Sequence, residues 1–290
     1  MILVTGATGN VGSEIARQLL ARGIRFRIYV RDADKAASLI GAEGYETALG
    51  DFSDEAAFAA ALEGIDAVYM VTNQSDAFKT DLGRIAGQVK QAGIDRFVML
   101  SAEGDPDSEI FFVRRTGELE TIIREAELPW TFLRPDWFMQ NFAGYVAMGM
   151  VAFADGPGKT SFVDVRDVAD VAIKALTEPG HTHRTYRLTG PDAMTFAGAA
   201  ARISAVLGRD LPFVGLTPEQ LRDGLIANGA ETWYAEMNAE MTFAIRMGMS
   251  FSPSNDIEFL LGRPPRSLET YVADHKAAWD TAQAQRELTP

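Results

Sequence analysis

The chain has 290 residues, of which 47% are hydrophobic, so it can bury one large core or two smaller ones. Its formal net charge of −13 argues against nucleic acid or an anionic membrane as a partner, and the lack of cysteine excludes disulfides, thiolate nucleophiles and cysteine metal sites. No apolar run reaches the ~20 residues of a membrane span, and a strand is predicted at the very start in place of a signal peptide, so we predict a cytoplasmic protein.

The first twelve residues predict a turn that binds phosphate. The apolar run from Ile2 to Val4 is typical of a strand buried on both faces, and the residues after position 12 have the apolar spacing of a helix. Three glycines stand between them, which in a dinucleotide-binding turn permit a tight bend, close approach of a pyrophosphate, and helix–strand packing. The helix N-terminus adds free N–H groups. We therefore predict cofactor contacts from Gly6, Thr8, Gly9, Asn10, Val11 and Gly12.

The second predicted strand, residues 24–30, ends on charged residues that suit an adenosine ribose. Arg31 comes first, Asp32 next, and Lys35 lies in the helix predicted at residues 33–40. Arginine at this position accommodates the 2′-phosphate of NADP, whereas an acid binds the free 2′-hydroxyl of NAD. Two cations around one anion favour NADP(H), with Arg31 and Lys35 as ligands, and Asp32 keeps NAD open as the alternative.

Strands and helices continue to alternate up to residue 135, which predicts an α/β fold with a parallel, doubly wound sheet of the Rossmann type. The further strands are predicted at residues 45–49, 66–72, 96–101 and 129–133. Ligands of such sheets bind off the carboxyl ends of the strands, where an acid after the third strand would accept from the adenine amine. The residues that this rule adds to the predicted cofactor site are Asp51, Phe52, Val71, Thr72 and Ser101.

The chain after residue 135 predicts a second part with a different character, which becomes helical and rich in methionine and aromatic residues. Its predicted elements are a strand at 160–163 that returns to the sheet, a helix at 164–176, a strand at 184–189, and helices at 196–207, 218–228, 230–247 and 268–284. We expect residues 1–150 to form a dinucleotide-binding core. Residues 151–290 would add the remaining sheet elements and a smaller, mostly helical substrate lobe over the nicotinamide end, all in one compact unit.

Two histidines, His181 and His183, stand in a loop of glycine and threonine. Imidazoles bind metals, but two of them in such a loop are more typical of surface residues. We therefore predict no metal site.

Several motifs resemble the NmrA-like branch of the atypical short-chain dehydrogenase/reductases. They are Thr5 to Gly12, Val30-Arg31, Gly50-Asp51, Leu128 to Pro135, Phe138 to Asn141, and Phe162 to Ala169. That branch includes NADPH-dependent quinone and triarylmethane-dye reductases and redox-sensing regulators. The resemblance implies that Arg31 binds the 2′-phosphate. It also implies that the segment from Arg134 to Asn141 runs past the nicotinamide, with Arg134 among the cofactor contacts.

The chain departs from its relatives in the expected proton donor. Ordinary short-chain reductases use a Tyr-x-x-x-Lys pair, and none of the seven tyrosines here has lysine four residues later. Thr116 stands where relatives often keep lysine or histidine, and the neighbouring Arg114 and Arg115 are poor proton donors because guanidinium stays charged. If a protein acid exists, Tyr145 is our first candidate.

The missing acid predicts the kind of substrate. Reducing a ketone needs a proton at the moment of hydride transfer, whereas a quinone or cationic dye gives a stable anion or neutral product. We therefore predict an NADPH-dependent oxidoreductase whose partner is a small, flat, apolar hydride acceptor, with no nucleic acid or membrane partner. The substrate contacts predicted from aromatic surface are Trp137, Phe138, Phe142 and Trp233. The alternatives are a non-catalytic NADP(H) sensor and a carbonyl, imine or enoyl reductase with an unrecognised acid; a homodimer is compatible with each.

Overall fold

The computed structural model describes residues 1–71, 75–249 and 252–287. They form two compact units that interleave in sequence. The sheet unit comprises Met1–Pro135 and Val165–Leu188, and the helical unit comprises Asp136–Asp164 and the chain from Thr189 onward. The predicted division after residue 150 stays a prediction, and the units themselves part at residues 135, 164 and 188.

The elements follow one another as the sequence pattern predicts over most of the chain. In order they are β1 (Ile2–Thr5), α1 (Asn10–Ala21), β2 (Phe26–Val30), α2 (Ala33–Ile40), β3 (Glu46–Leu49), α3 (Glu55–Ala61), β4 (Ala67–Val71), α4 (Asp76–Gln91), β5 (Arg96–Leu100), α5 (Phe111–Glu125), β6 (Trp130–Pro135), a 3₁₀ turn (Met139–Asn141), α6 (Phe142–Met148), β7 (Val151–Ala154), α7 (Val165–Thr177), β8 (Arg184–Leu188), α8 (Phe196–Leu207), β9 (Phe213–Leu216), α9 (Pro218–Ala227), α10 (Thr232–Arg246), α11 (Asp256–Leu261) and α12 (Leu268–Glu287).

The sheet unit contains a seven-stranded sheet in the order β3-β2-β1-β4-β5-β6-β8. Every neighbouring pair is parallel, and in the central register Val4 lies opposite both Ile28 and Tyr69. All four residues of β1 are buried, as expected of a strand covered on both faces. The predicted Rossmann-type fold is therefore confirmed.

Apolar side chains from one face of this sheet meet those of α3, α4 and α5. Leu3, Phe97 and Phe132 are 0% exposed there and pack with helical residues such as Phe58 and Leu82. Full burial of each such side chain contributes about 1.5–3 kcal/mol. This core fixes the carboxyl ends of the strands relative to one another.

The helical unit carries a small sheet of its own, in which β7 and β9 pair in parallel. The prediction that residues 160–163 return to the main sheet is wrong. Thr160 instead forms a bridge with Met194, and Val163 forms one with Phe138. The N–H of Ser161 donates to Asp136 Oδ2 over 2.8 Å, so a side chain satisfies backbone that a strand neighbour would otherwise pair. In the described residues, no helix is long and apolar enough to cross a bilayer.

His181 contradicts the surface position expected from its loop. It is 9% exposed, and its Nδ1 lies 2.9 Å from the Tyr186 hydroxyl. Burial lowers the pKa of His181, with a further contribution from the charge of Lys174. His183 has φ of 58°, and its Nε2 lies 3.2 Å from the Leu128 carbonyl oxygen. The described residues contain no cluster of side chains that could hold a metal ion.

The lowered pKa predicts that acid destabilises the fold through His181. The unfolded chain, with a pKa of about 6.5, takes up a proton first as the pH falls. The contribution of His181 to the free energy of unfolding is therefore present above that pH and is lost as the pH falls toward the pKa of His181 in the folded protein. It amounts to about 1.4 kcal/mol for each pH unit by which folding lowers this pKa. Thermal unfolding of His181→Gln should change less between pH 7.5 and pH 5.5 than that of the wild type. The control His275→Gln should keep the wild-type slope, and an unchanged slope for His181→Gln would contradict the assignment.

Candidate active site

The carboxyl ends of the sheet strands bring six of the predicted cofactor residues into one row. The strand order reverses between β1 and β4, and the crevice at such a switch point is where dinucleotides bind. Across the row, each at or just after a strand end, lie Asp51, Arg31, Gly6, Val71, Ser101 and Arg134. Thr72, also predicted, lies outside the described residues.

Two of the three glycines are required by the protein itself. Gly6 has φ of +62°, and an added Cβ would lie 2.4 Å from Val71 Cγ1. At Gly12 a Cβ would lie 2.2 Å from the carbonyl oxygen of Gly6. These two positions therefore maintain the tight turn and the close packing of helix against strand.

Gly9 differs, because the described residues place no demand for a glycine there. Its φ of −99° and ψ of 174° suit any residue, and among the described residues the Gly6 carbonyl oxygen, at 3.4 Å, is the neighbour of an added Cβ. Gly9 is the N-cap of α1 and has no side chain to accept from the first-turn N–H groups, and the first turn carries no acidic residue. An open, uncapped helix N-terminus fits the pyrophosphate of NAD(P)H.

Thr5 is a contributor that the sequence analysis missed. Its buried hydroxyl accepts from the Val71 N–H over 2.9 Å and donates to Met70 Sδ over 3.8 Å. This contact joins the ends of β1 and β4 beside the glycine turn. The signal available in the sequence was a polar residue ending an apolar strand.

The adenosine end of the row has an exposed cation, Arg31, and an acid that caps a helix, Asp32. The Arg31 side chain is 82% exposed, and its Nη1 lies 4.0 Å from Asp51 Oδ2. Asp32 is the N-cap of α2, where its Oδ1 accepts from the Lys35 N–H over 2.9 Å. The capping role accounts for Asp32 and leaves Arg31 as the side chain that can meet a 2′-phosphate.

Side chains that pack against the turn after β3 fix the positions of Asp51 and Phe52. The Tyr29 hydroxyl donates to the Asp51 carbonyl oxygen over 2.7 Å, and Phe52 packs edge-on against Phe58 and Phe78. Asp51 Oδ1 accepts from the N–H and hydroxyl of Ser53 at 3.0 and 2.9 Å, which lowers the pKa of Asp51. The turn therefore presents a charged, fixed carboxylate, as the predicted adenine contact requires.

The other end of the row is organised by Glu120, a residue that the sequence analysis missed. Glu120 is 0% exposed and accepts from the Ser101 hydroxyl at 2.7 Å. It also accepts from Arg134 Nε at 2.8 Å and Nη2 at 2.6 Å, and from Arg124 Nη2 at 2.8 Å. Arg134 therefore donates from both Nε and Nη2 to Glu120. Its guanidinium is buried enough that its charge would be costly without such a partner.

Thr116 is 2% exposed, and its hydroxyl donates to the Phe112 carbonyl oxygen over 2.9 Å. The loop after β5 lies directly on this part of α5. A Cβ on Gly104 would come within 2.9 Å of the Gly117 nitrogen, and one on Gly117 within 2.3 Å of the Pro106 nitrogen.

Four of the tyrosines are poor acids because their pKa is raised. Burial raises the pKa of Tyr45, Tyr69 and Tyr145, and it raises the pKa of Tyr29 to about 12 with help from Asp54 and Asp51. A general acid works best when its pKa lies near the operating pH. The role predicted for Tyr145 stays a prediction, and the direction of its pKa weighs against it.

The aromatic residues predicted to contact substrate lie in the helical unit, and they differ in exposure. Phe142 is 1% exposed, with its ring 4.8 Å from that of Phe162. Trp137 is half-buried and packs edge-on against Phe153 and Phe196. Phe138 and Trp233 are also half-buried. Phe142 is therefore a core side chain, and the substrate contacts of all four residues stay predictions.

Comparison with known proteins agrees with this geometry. Residues 6–179 match the model of a family described as NAD(P)H-binding. The chain is 35% identical over 287 residues to NAD(P)H azoreductase of Xenophilus azovorans, covering 97% of this chain and 100% of the relative. It is 38% identical over 285 residues to (4-alkanoyl-5-oxo-2,5-dihydrofuran-3-yl)methyl phosphate reductase of Streptomyces griseus, covering 96% and 99%.

A solved structure shows the same fold. NADPH-dependent quinone oxidoreductase QOR2 of Escherichia coli, in complex with NADPH, is 25% identical, with a TM-score of 0.79 over 94% of this chain and 99% of that one. The predicted resemblance to this branch of reductases is confirmed. The chain therefore belongs to the NAD(P)H-binding family and is an NAD(P)H-dependent oxidoreductase.

Proposed function

We propose that the protein transfers a hydride from NADPH to a flat acceptor such as a quinone or a cationic dye, without a protein proton donor. The preference for NADPH over NADH is supported by the exposed Arg31 guanidinium, with Lys35 also exposed close by. The kind of acceptor is supported by the azoreductase and quinone oxidoreductase relatives. Both names refer to acceptors that take up electrons readily.

The observation that carries the proposal is the placement of Thr116. The position at which relatives keep lysine or histidine holds a buried hydroxyl that donates to the backbone. A reductase of simple ketones needs a proton at the moment of hydride transfer, because the product would otherwise be an alkoxide. A site without that proton suits an acceptor whose reduced form is a stable anion or a neutral molecule.

The chain's residues then bind and orient rather than exchange protons. Gly9 and the first turn of α1 would hold the pyrophosphate, and Arg31 the 2′-phosphate. NADPH, when bound, supplies the hydride and is oxidised to NADP⁺. A quinone that gains the two electrons and hydrogen of a hydride becomes a hydroquinone anion, which takes its proton from water afterwards.

The test is NADPH oxidation, followed by absorbance, against a benzoquinone, a naphthoquinone, an azo dye, a triarylmethane dye, an aldehyde and a cyclic imine. Turnover on the two quinones and the triarylmethane dye, with little on the aldehyde or imine, is expected. Turnover confined to the aldehyde or imine would contradict the proposal and require a protein acid. Tight binding of NADPH with no turnover on any acceptor would instead favour the sensor.

The same assay makes a prediction for Thr116. Thr116→Val keeps the shape and removes the hydroxyl, so quinone turnover should stay within about twofold of the wild type. Thr116→Ala should behave alike while losing some stability, since it also removes a buried methyl group. A loss of tenfold or more with either variant, in folded protein, would give Thr116 the chemical role denied to it here.

A further inference from the structure

Glu120 joins elements that are far apart in the chain. Its carboxylate contacts Ser101 at the end of β5 and Arg134 near the end of β6, while Arg134 Nη2 also donates to the Gly104 carbonyl oxygen over 3.0 Å. A single buried acid thus holds two strand ends and the loop after β5. We propose that Glu120 is a positioning residue for the nicotinamide half of the cofactor, an inference that rests on the proposed function.

Stability alone does not account for a carboxylate at this position. Glu120 is 0% exposed, and the arginines around it, Arg134 and Arg124, have side chains 15% and 40% exposed. Buried ion pairs are commonly no more stable than well-packed apolar residues of similar volume. A carboxylate adds directional hydrogen bonds, which here set the Ser101 hydroxyl and the fork of Arg134 in fixed positions.

The location of these contacts identifies which part of the cofactor they serve. The pyrophosphate belongs at the glycine turn after β1, and Arg31 after β2 marks the adenosine side. In the order β2-β1-β4-β5-β6, Ser101 and Arg134 lie on the opposite side of β1 from Arg31. The nicotinamide half therefore extends toward the strand ends that Glu120 positions.

Binding of two ligands tests this without relying on activity. NADPH contains the nicotinamide, whereas 2′-phospho-ADP-ribose shares only the adenosine and phosphate half. Glu120→Gln keeps the size of the side chain and removes the charge that pairs with Arg134. We expect it to weaken NADPH binding by about tenfold or more while changing the Kd of the fragment by less than about threefold.

Turnover supplies a second readout. With a quinone acceptor and saturating NADPH, kcat of Glu120→Gln should fall by about tenfold or more, because the hydride donor would be held less firmly. Glu118→Gln is the matched control. Glu118 lies on the same helix as Glu120, and its carboxylate forms an ion pair with Lys79 at 2.7 Å. Its replacement removes an acid from α5 but not the carboxylate that contacts Ser101 and Arg134. This control should leave both ligands and kcat close to the wild type.

Several outcomes would overturn the inference. Equal weakening of NADPH and of the fragment would indicate general distortion, and no weakening of either would leave Glu120 without this role. If Glu120→Gln does not fold, Arg134→Lys carries the same test, since lysine keeps the charge but loses the two-pronged contact. A wild type that binds NADPH but turns over no acceptor would refute the proposed function, while the comparison of the two ligands would still decide about Glu120.

Discussion

Gly9→Val is expected to abolish cofactor binding while leaving the protein folded. The backbone at Gly9 already suits a branched residue, and in the part of the chain that the structure describes an added Cβ has room, with its neighbour, the Gly6 carbonyl oxygen, at 3.4 Å. Loss of a favoured N-cap residue costs about 1 kcal/mol at most. The valine side chain would occupy the space that a pyrophosphate needs in order to reach the first-turn N–H groups of α1. Affinity for NADPH should fall by at least about 100-fold, or about 2.7 kcal/mol.

Gly12→Ala is the contrast that makes this result informative. Its Cβ would lie 2.2 Å from the Gly6 carbonyl oxygen and 2.6 Å from the Gly6 carbonyl carbon, so α1 must shift. This variant should lose both binding and thermal stability. Fluorescence titration with NADPH and a thermal unfolding curve for each variant separate the two effects. Retained binding by Gly9→Val would refute the assignment of the turn as the pyrophosphate site.

Arg31→Ala should weaken NADPH much more than NADH. Its side chain is 82% exposed, and its ion pair with Asp51 is loose at 4.0 Å, so the guanidinium can turn toward a 2′-phosphate at little cost. Hydrogen bonds between charged groups contribute about 1.5–3 kcal/mol, and exposure to solvent places this one near the lower end. The Kd for NADPH should therefore rise by about tenfold, and that for NADH by less than about twofold.

Arg25→Ala is the matched control for this experiment. Arg25 is exposed and precedes β2, at the opposite end of the strand that Arg31 follows. Both variants remove one positive charge from a protein of net charge −13, so a general electrostatic effect would appear in both. Equal weakening of NADPH and NADH by Arg31→Ala would mean that Arg31 does not recognise the 2′-phosphate. Raising the salt concentration should also reduce the difference between the wild-type Kd values for NADPH and NADH.

Local pattern predicted those elements whose signals lie close together in the chain. The predicted bounds of α2 and α8 agree with the structure, in which each helix has a capping side chain at its start, Asp32 or Thr195, and a glycine at its end. The short strand β7 was missed, since it pairs with β9, which lies some sixty residues later in the sequence. A strand of four residues has too little periodicity to be distinguished from a loop.

The sequence by itself determined the glycine turn, the cation after β2, the alternation that produces the parallel sheet and the resemblance to the reductase family. Each of these depends on neighbours within about a dozen residues. The tertiary structure decided that Thr116 is buried, that His181 is not a surface residue, and that Glu120 holds Ser101 and Arg134. Burial and hydrogen bonding at these positions arise from segments that meet only when the sheet assembles, so no local pattern contains them.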